Sequence, residues 1–277
     1  MSEIKVTYVD HMGTELSVVN AAKVSFGKKS AWRNGVKGEL TAGDKSLIAF
    51  LARGCTSNDW AMLLREMLSR GINSYQEGYS LDETFEEDVD DNYDDLEAIA
   101  HYIKKMPSHW SPFAHTALTL HIKMPIFVAR QIMKHTTGIE YNEVSRRYVS
   151  SDPEFYTPKV WRGKAEDVKQ GSSGEIKGYE SLFEYESIHE DVQSDFDDSL
   201  GLYKHMIDQG VCPEQARMVL PQSMMTEVIM TGNLYSMANL YNQRIDSHAQ
   251  EETQEVAKQI GEIVEKLFPY SWGELTR

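Results

Sequence analysis

The chain has 277 residues, of which 41% are hydrophobic, and a formal net charge of −15 at pH 7. That length suits one large domain or two modest ones, and the apolar content suffices for a packed core, which argues against wholesale disorder. The two cysteines exclude a disulfide framework, and no apolar run approaches the roughly 20 residues that a membrane-spanning helix needs.

The predicted elements, taken in chain order, give an α+β fold in which helices dominate. Alternating polarity predicts a strand over residues 4–9, and a run rich in Thr, Leu and Ile predicts another over residues 113–124. Pro125 stands where a helix would begin, Gly138 would end that helix, and residues 171–174 are expected to form a flexible joint. Apolar residues at helical spacing predict helices over residues 17–24 with Ser17 as the cap, 45–53, 59–70, 96–106, 126–134, 176–207, 234–241 and 251–267, with one more beginning at Pro213.

Most of the negative charge lies in one block. Eleven acidic residues and no basic ones fall between Glu77 and Glu97, so the rest of the chain carries only −4. Such a block is usually a solvated loop or helix face, and it argues against a general nucleic-acid surface because phosphate would be repelled there. The first residues lack the order of a secretion signal. The sequence therefore predicts a cytoplasmic protein with neither nucleic acid nor membrane as a partner.

The densest polar cluster lies between Arg130 and Tyr148. A Gly-containing loop there is flanked by cations and followed by an amide, a carboxylate and a hydroxyl: Arg130, Lys134, Arg146 and Arg147, with Asn142, Glu143 and Ser145. Guanidinium and hydroxyl donors suit a phosphate, and amide and carboxylate groups suit the edge of a pyrimidine or flavin ring. An exposed basic helix end with a capping Asn or Ser has the same composition, so the two interpretations stay open on these residues alone.

The same segment resembles the motif of flavin-dependent thymidylate synthases, which is Arg-His-Arg, seven residues and then Ser, continued as Asn-Glu-x-Ser-x-Arg-Tyr. Residues 142–148 match the continuation throughout. Two departures are Lys134-His135-Thr136 in place of Arg-His-Arg, and one extra residue before Asn142. Further blocks follow the family's order at residues 10–26, 111–115, 125–131, 216–221 and 244–250. A longer stretch from about residue 55 to 95 is similar to an insertion in some phage and marine bacterial members.

This resemblance implies a helix-rich single domain over residues 1–277 around a mostly antiparallel sheet, with the acidic insertion at about 55–95. It implies a homotetramer whose subunits share active sites, in the cytoplasm, or in the host cytoplasm for a phage-encoded chain. The implied activity is FAD-dependent reductive methylation of dUMP to dTMP. In that reaction 5,10-methylenetetrahydrofolate gives the carbon and leaves as tetrahydrofolate, while NADPH is the reductant.

The resemblance also implies roles for individual residues. Arg244 would be the catalytic group, facing the N3/O2 edge of the pyrimidine and stabilising negative charge there. The implied dUMP contacts are Gln131, Lys134, Glu143, Ser145, Arg146, Arg147, Arg217 and Arg244. The implied FAD contacts are His109, Ser111, Lys134, His135, Thr136, Glu143, Asn233 and Asn239. Lysine at position 134 can hold a phosphate as a point charge but lacks the planar fork of arginine. For Arg217, an intrahelical pair with Glu214 is the alternative.

Other hypotheses stay open at this point. A cysteine-dependent synthase would use Cys212, which precedes Pro213 at a predicted helix start where the dipole favours a thiolate. The departures at Lys134 and Thr136 allow an inactive nucleotide-binding protein, and the acidic block allows a capsid-like or interaction protein. Ser145 lacks a positioned base and is a hydrogen-bond donor rather than a nucleophile. The nine histidines include no His-x-x-x-His or His-x-His pair, so no metal site is predicted.

Overall fold

The computed structural model describes residues 2–55, 109–149, 151–165, 172–176, 178–181 and 187–276. The chain divides into two units, of which the first contains residues 1–12 and 116–267 and the second contains residues 13–115 and 268–277. The strands are β1 (Lys5–Met12), β2 (Ala117–Pro125), β3 (Ile139–Glu143), β4 (Arg162–Lys164), β5 (Ser172–Glu175) and β6 (Met225–Gly232). The α-helices are α1 (Glu15–Lys23), α2 (Ala42–Leu51), α3 (Ile126–Ile132), α4 (Ile188–Asp208), α5 (Pro213–Ala216), α6 (Leu234–Arg244), α7 (Glu251–Leu267) and α8 (Pro269–Leu275).

An antiparallel sheet in the order β1-β2-β6-β3 is the framework of the first unit, and β4 and β5 form a separate hairpin. Alternate residues of β2 are buried, as the period of two in a strand requires: Leu118, Leu120, Ile122 and Met124. Helix α7 buries Val256, Ile260 and Val264, which recur on one helical face. Its Gln259 also bonds the backbone of β1, accepting from the amide of Val6 at 2.7 Å. These contacts fix the sheet that carries β3 and the polar loop after it.

In the second unit, two buried carboxylates hold the helices. Glu15 is 3% exposed and accepts hydrogen bonds from the amides of Tyr270 at 2.7 Å and Ser271 at 2.9 Å, so it caps the start of α8. Asp44 is 1% exposed and accepts from the ammonium of Lys23 at 2.5 Å. It also accepts from the hydroxyls of Ser30 and Thr41, each at 2.7 Å. Because each carboxylate is satisfied, its burial is compatible with a stable fold.

The structure confirms the α+β class with an antiparallel sheet, and it confirms the bounds of 251–267 for α7. Ser17 was wrong as the helix cap, because Thr14 is the extended cap residue and the Ser17 hydroxyl reaches back to its amide at 3.0 Å. The expected joint at 171–174 was also wrong, because residues 172–175 pair with β4. Strands β3, β4 and β6 and helix α8 were not predicted.

The long helix predicted from residue 176 begins only at Ile188. Ser187 is extended at φ −149° and forms a capping box with Glu190, which sets the start of α4. The helices predicted over 59–70 and 96–106 and the acidic insertion lie outside the described residues, except for Cys55. A single domain over residues 1–277 and a tetrameric assembly stay predictions. Among the described residues, no helix has the length and apolar content to span a membrane.

Candidate active site

The polar segment after α3 is a tight turn that leads into β3. Helix α3 ends at Ile132, and the hydroxyl of Tyr141 donates to the carbonyl oxygens of Ile132 at 3.1 Å and His135 at 2.8 Å. Burial raises the pKa of Tyr141, so this hydroxyl remains a donor at neutral pH. Tyr141 therefore holds the backbone that presents Lys134, His135 and Thr136.

Gly138 closes this turn in the left-handed region at φ +70°. A β-carbon there would lie 2.3 Å from the hydroxyl of Ser236 and 2.6 Å from the side-chain nitrogen of Asn233. Asn233 caps α6, accepting from the amide of Ser236 at 3.0 Å. The glycine thus lets the turn lie against the start of the helix that ends in Arg244.

Substituting Gly138 should therefore destabilise the fold and the site together. Gly138→Ala adds steric overlap, worth about 1–3 kcal/mol, to the left-handed strain of about 1–2 kcal/mol. Gly210→Ala is the matched control, because Gly210 has φ +85° but no atom within 4 Å of its β-carbon position. We expect a larger drop in the urea midpoint for Gly138→Ala than for Gly210→Ala. Equal drops would show that the close approach to α6 is unimportant.

Arg244, the last residue of α6, is tied to that turn. Its Nε lies 2.9 Å from Nε2 of His135, and its Nη2 donates to the carbonyl of Gln131 at 3.1 Å. The side chain of Gln131 in turn donates to Gln250 at 2.6 Å. Burial, and then the positive charge of Arg244, lower the pKa of His135. At neutral pH the site therefore holds one fixed guanidinium beside a neutral imidazole.

Three of the residues predicted to contact dUMP line one cavity of about 1020 Å³ in the first unit: Gln131, Lys134 and Arg244. Such a volume suits a nucleotide or part of a larger cofactor. The other charged residues in its wall are Arg162, Lys258, Glu251 and Glu255. Lys134 is exposed, which suits a role as a point charge for phosphate.

A second group of predicted dUMP contacts lies in the loop after β3. Nε of Arg147 donates to the hydroxyl of Ser145 at 3.1 Å, and Arg146 donates to the carbonyl of Ser151. Both arginines line a smaller cavity of about 240 Å³ with Lys204. Five of the eight residues predicted to bind dUMP thus line two cavities, each with two or more cations, whereas Glu143, Ser145 and Arg217 line neither.

Arg217 is exposed on the short turn that follows α5. The carboxylate of Glu214 lies 3.6 Å from Arg147, so its ion pair is with that residue and not within the helix. Of this segment only Ala216 is buried, so Arg217 stands on the surface of the described chain.

The remaining predicted FAD contacts are dispersed. Glu143 ends β3 and accepts from the hydroxyl of Thr226 at 2.7 Å, while Thr136 is exposed and Asn239 is partly buried on α6. His109 and Ser111 belong to the second unit, where the ring of His109 lies 5.4 Å from that of Phe50. Lys134, His135 and Thr136 are consecutive, and among them His135 contacts Arg244.

Arg162 is a residue that the sequence analysis missed. Its guanidinium bonds Glu251 at 2.9 Å and Glu252 at 2.8 and 2.9 Å, which fastens β4 to the first turn of α7. Arg162 lines the 1020 Å³ cavity and also two neighbours, one of about 700 Å³ and a largely apolar one of about 460 Å³. Its partners are 89 and 90 residues away, so no local pattern could reveal it.

The exposed thiol of Cys212 precedes the four-residue helix α5. Within the described ranges of the chain, no three or more His, Cys, Asp or Glu side chains lie together in a cluster suited to a metal.

Comparison with known proteins supplies the family. The model of the family described as thymidylate synthase complementing protein matches residues 7–270. The flavin-dependent thymidylate synthase of Thermosipho africanus is 37% identical over 164 residues, which are 59% of this chain and 70% of that protein. The enzyme of the same name from Thermus thermophilus is 35% identical over 59% of this chain and 58% of its own length.

Among solved structures, a UMP/dUMP methylase from Streptomyces cacaoi bound with 5-Br dUMP superposes with a TM-score of 0.66. The match covers 100% of this chain and 96% of that one at 23% identity, so it shows a shared fold. The family match covers most of the chain, and the resemblance inferred from the motif is confirmed. The chain belongs to the thymidylate synthase complementing protein family, the flavin-dependent thymidylate synthases.

Proposed function

We propose that this protein methylates dUMP to dTMP, with FAD as cofactor, 5,10-methylenetetrahydrofolate as carbon donor and NADPH as reductant. The observation that carries the proposal is the setting of Arg244. In a chain of this family, its guanidinium lines the 1020 Å³ cavity while two of its nitrogens are fixed by His135 and Gln131. Pre-set donors of this kind stabilise charge that develops in a reaction without having to reorganise.

Arg244 activates the pyrimidine by stabilising negative charge on its N3/O2 edge. Carbon 5 of uracil is a poor nucleophile, so charge delivered into the ring makes it reactive. FAD, when bound, supplies the reducing equivalents. Lys134 contributes a positive charge to the same cavity, and Gln131 contributes an amide group. Arg146, Arg147 and Ser145 bind the nucleotide phosphate, since guanidinium and hydroxyl donors suit its oxygens.

The flavin contacts of the proposal are His109, Ser111, Lys134, His135, Thr136, Glu143, Asn233 and Asn239. His135 donates with Nδ1, because its Nε2 already accepts from Arg244. Thr136 is exposed and offers a hydroxyl in place of a guanidinium. The donors in the turn therefore suit an anionic or polar part of FAD.

We also propose that the active enzyme is a homotetramer whose subunits share active sites. One observation supports it: Arg244 and the pair Arg146 and Arg147 line different cavities of one chain. Residues from several copies would then complete each site. Light scattering on the purified protein checks the mass, and a monomeric active enzyme would contradict the shared site.

The reaction is tested by the release of tritium from carbon 5 of labelled dUMP and by formation of dTMP. The Cys55→Ser, Cys212→Ser double variant should keep turnover within about twofold, because Cys212 is exposed and a serine at the partly buried position 55 can still donate to the carbonyl of Leu51. Protein stripped of flavin should lose turnover, and added FAD should restore it. Activity that depends on a cysteine and survives removal of flavin would instead identify a cysteine-dependent synthase. Binding of dUMP without tritium release would identify an inactive nucleotide-binding protein.

A further inference from the structure

The ring of His135 contacts Arg244 through one defined nitrogen. Nε of Arg244 lies 2.9 Å from Nε2 of His135. A guanidinium nitrogen can only donate, so Nε2 must accept and must carry no proton. The ring in this contact is therefore the neutral tautomer with its proton on Nδ1.

The position of His135 is itself fixed by its backbone. Its amide donates to the carbonyl of Ile132 at 3.1 Å, and its carbonyl accepts from Tyr141 at 2.8 Å. Gln131, in the last turn of α3, offers its carbonyl to Nη2 of Arg244 at 3.1 Å. Two of the three guanidinium nitrogens are thus held by residues 131–135. Within the described part of the chain, Nη1 makes no hydrogen bond to protein, and it remains for a ligand in the cavity.

We propose that His135 is a positioning residue for Arg244, that it acts only as the neutral imidazole, and that its protonation releases the arginine from its catalytic orientation. A protonated Nε2 could no longer accept the hydrogen bond from Nε, and two positive charges would face each other across 2.9 Å. This inference rests on the proposed function of Arg244, and it adds a titrating group that controls that residue.

The groups around the ring favour such a switch. Arg244 faces it from α6, Tyr141 donates to its carbonyl from β3, and Lys134 precedes it in the same turn. Among the residues that the structure describes, no carboxylate forms an ion pair with His135, so nothing there compensates a positive ring. Burial, and then the charge of Arg244, lower the pKa of His135, so the neutral imidazole that accepts from Arg244 is the populated form at neutral pH.

Two substitutions separate positioning from simple packing. The side-chain oxygen of glutamine reaches about as far as Nε2 of histidine and accepts a hydrogen bond at every pH, so His135→Gln keeps the contact without titration. His135→Leu keeps much of the volume but offers no acceptor. Urea midpoints of both variants show whether they fold. If both variants fold with similar midpoints, the difference between their rates reports the hydrogen-bond acceptor and not a loss of stability.

The test measures kcat and KM for dUMP between about pH 5 and 8 with saturating FAD and co-substrates. Wild type should lose kcat on the acid side, with a midpoint below the ordinary histidine value of about 6.5. His135→Gln keeps the acceptor for Arg244 but removes the Nδ1 donor proposed for FAD, so at neutral pH its kcat should exceed that of His135→Leu by about tenfold, the scale of one hydrogen bond, and its profile should lose the acid limb. His135→Leu should show a kcat that is about a hundredfold below the neutral wild-type value and nearly independent of pH, as for a misplaced donor. An unchanged acid limb in His135→Gln, or equal rates in both variants, would overturn the proposal.

A binding measurement keeps the test independent of the reaction. Calorimetry with dUMP on flavin-free protein should show a dissociation constant that rises more steeply as the pH falls for wild type than for His135→Gln, because both proteins also sense protonation of the nucleotide phosphate near about pH 6. If wild type forms no dTMP, the proposed function has failed, and this measurement still tests the contact between His135 and Arg244. The same pH dependence in both proteins would overturn the role of His135.

Discussion

Replacing Arg244 by alanine is expected to lower kcat at least about a hundredfold, or about 3 kcal/mol, as the loss of one aimed donor does in other enzymes. The guanidinium is held by His135 and Gln131, so the lost group is one whose orientation the fold has already fixed. Steady-state rates of dTMP formation with saturating flavin measure the effect. KM for dUMP should change less than kcat, because the main loss is in stabilisation of charge that develops in the reaction.

The controls separate the donor from the charge. Arg244→Lys keeps a cation but loses the forked donors, so it should lie between wild type and alanine. Lys266→Ala removes one exposed cation from the last turn of α7 and should leave kcat within about twofold. Turnover near the wild-type rate in Arg244→Ala would contradict the assigned role.

The second large effect concerns stability. Asp44→Ala should lower the free energy of unfolding by about 3 kcal/mol, because breaking a buried, hydrogen-bonded ion pair leaves its partners unsatisfied. Asp44 is 1% exposed and accepts from Lys23, Ser30 and Thr41. The side chain of Lys23 is 26% exposed, so its ammonium can recover part of its hydration when Asp44 is removed. The expected loss of unfolding free energy therefore lies at the lower end of the range for buried ion pairs. The urea midpoint measures it.

Glu154 provides a matched control with the same kinds of partner at the surface. It accepts from Lys123 at 2.7 and 2.8 Å and from the hydroxyl of Ser2 at 2.6 Å, but its side chain is 55% exposed. Glu154→Ala should therefore cost no more than about 1 kcal/mol. If both variants lose the same stability, burial is not what makes the contacts of Asp44 important.

The contribution of Asp44 should also depend on pH. Burial alone would raise its pKa, but the hydrogen bonds from Lys23, Thr41 and Ser30 prevail and lower it. A carboxyl whose pKa is lower in the folded than in the unfolded state adds stability above its ordinary value of about 4 and loses it as the pH falls. The difference between wild type and Asp44→Ala should therefore shrink in acid.

Elements with a strong periodic pattern could be predicted from the sequence, as α7 and β1 show. Strand β6 was missed because Met225–Gly232 contains two methionines, which favour helices, and because its pairing partners lie far away in the chain. The hairpin of β4 and β5 was missed because Gly163 and the Ser-Ser-Gly run of β5 resemble a loop. In both cases, tertiary pairing outweighs local propensity.

The candidate site could likewise be predicted only in part. The motif after α3 identified the residue types, since Asn142 to Tyr148 match the family's pattern. It could not reveal which groups meet, because His135 and Arg244 are 109 residues apart and come together only through the order of α3, β3 and α6. The same reason explains Arg162, whose partners on α7 no pattern near residue 162 could indicate.

Arg162 lies in the walls of three cavities at once, and its two carboxylate partners belong to the first turn of α7. Any molecule that displaces this guanidinium from one compartment changes the outline of the other two. The three cavities therefore share one wall residue, and a substitution at Arg162 would change the lining of all three.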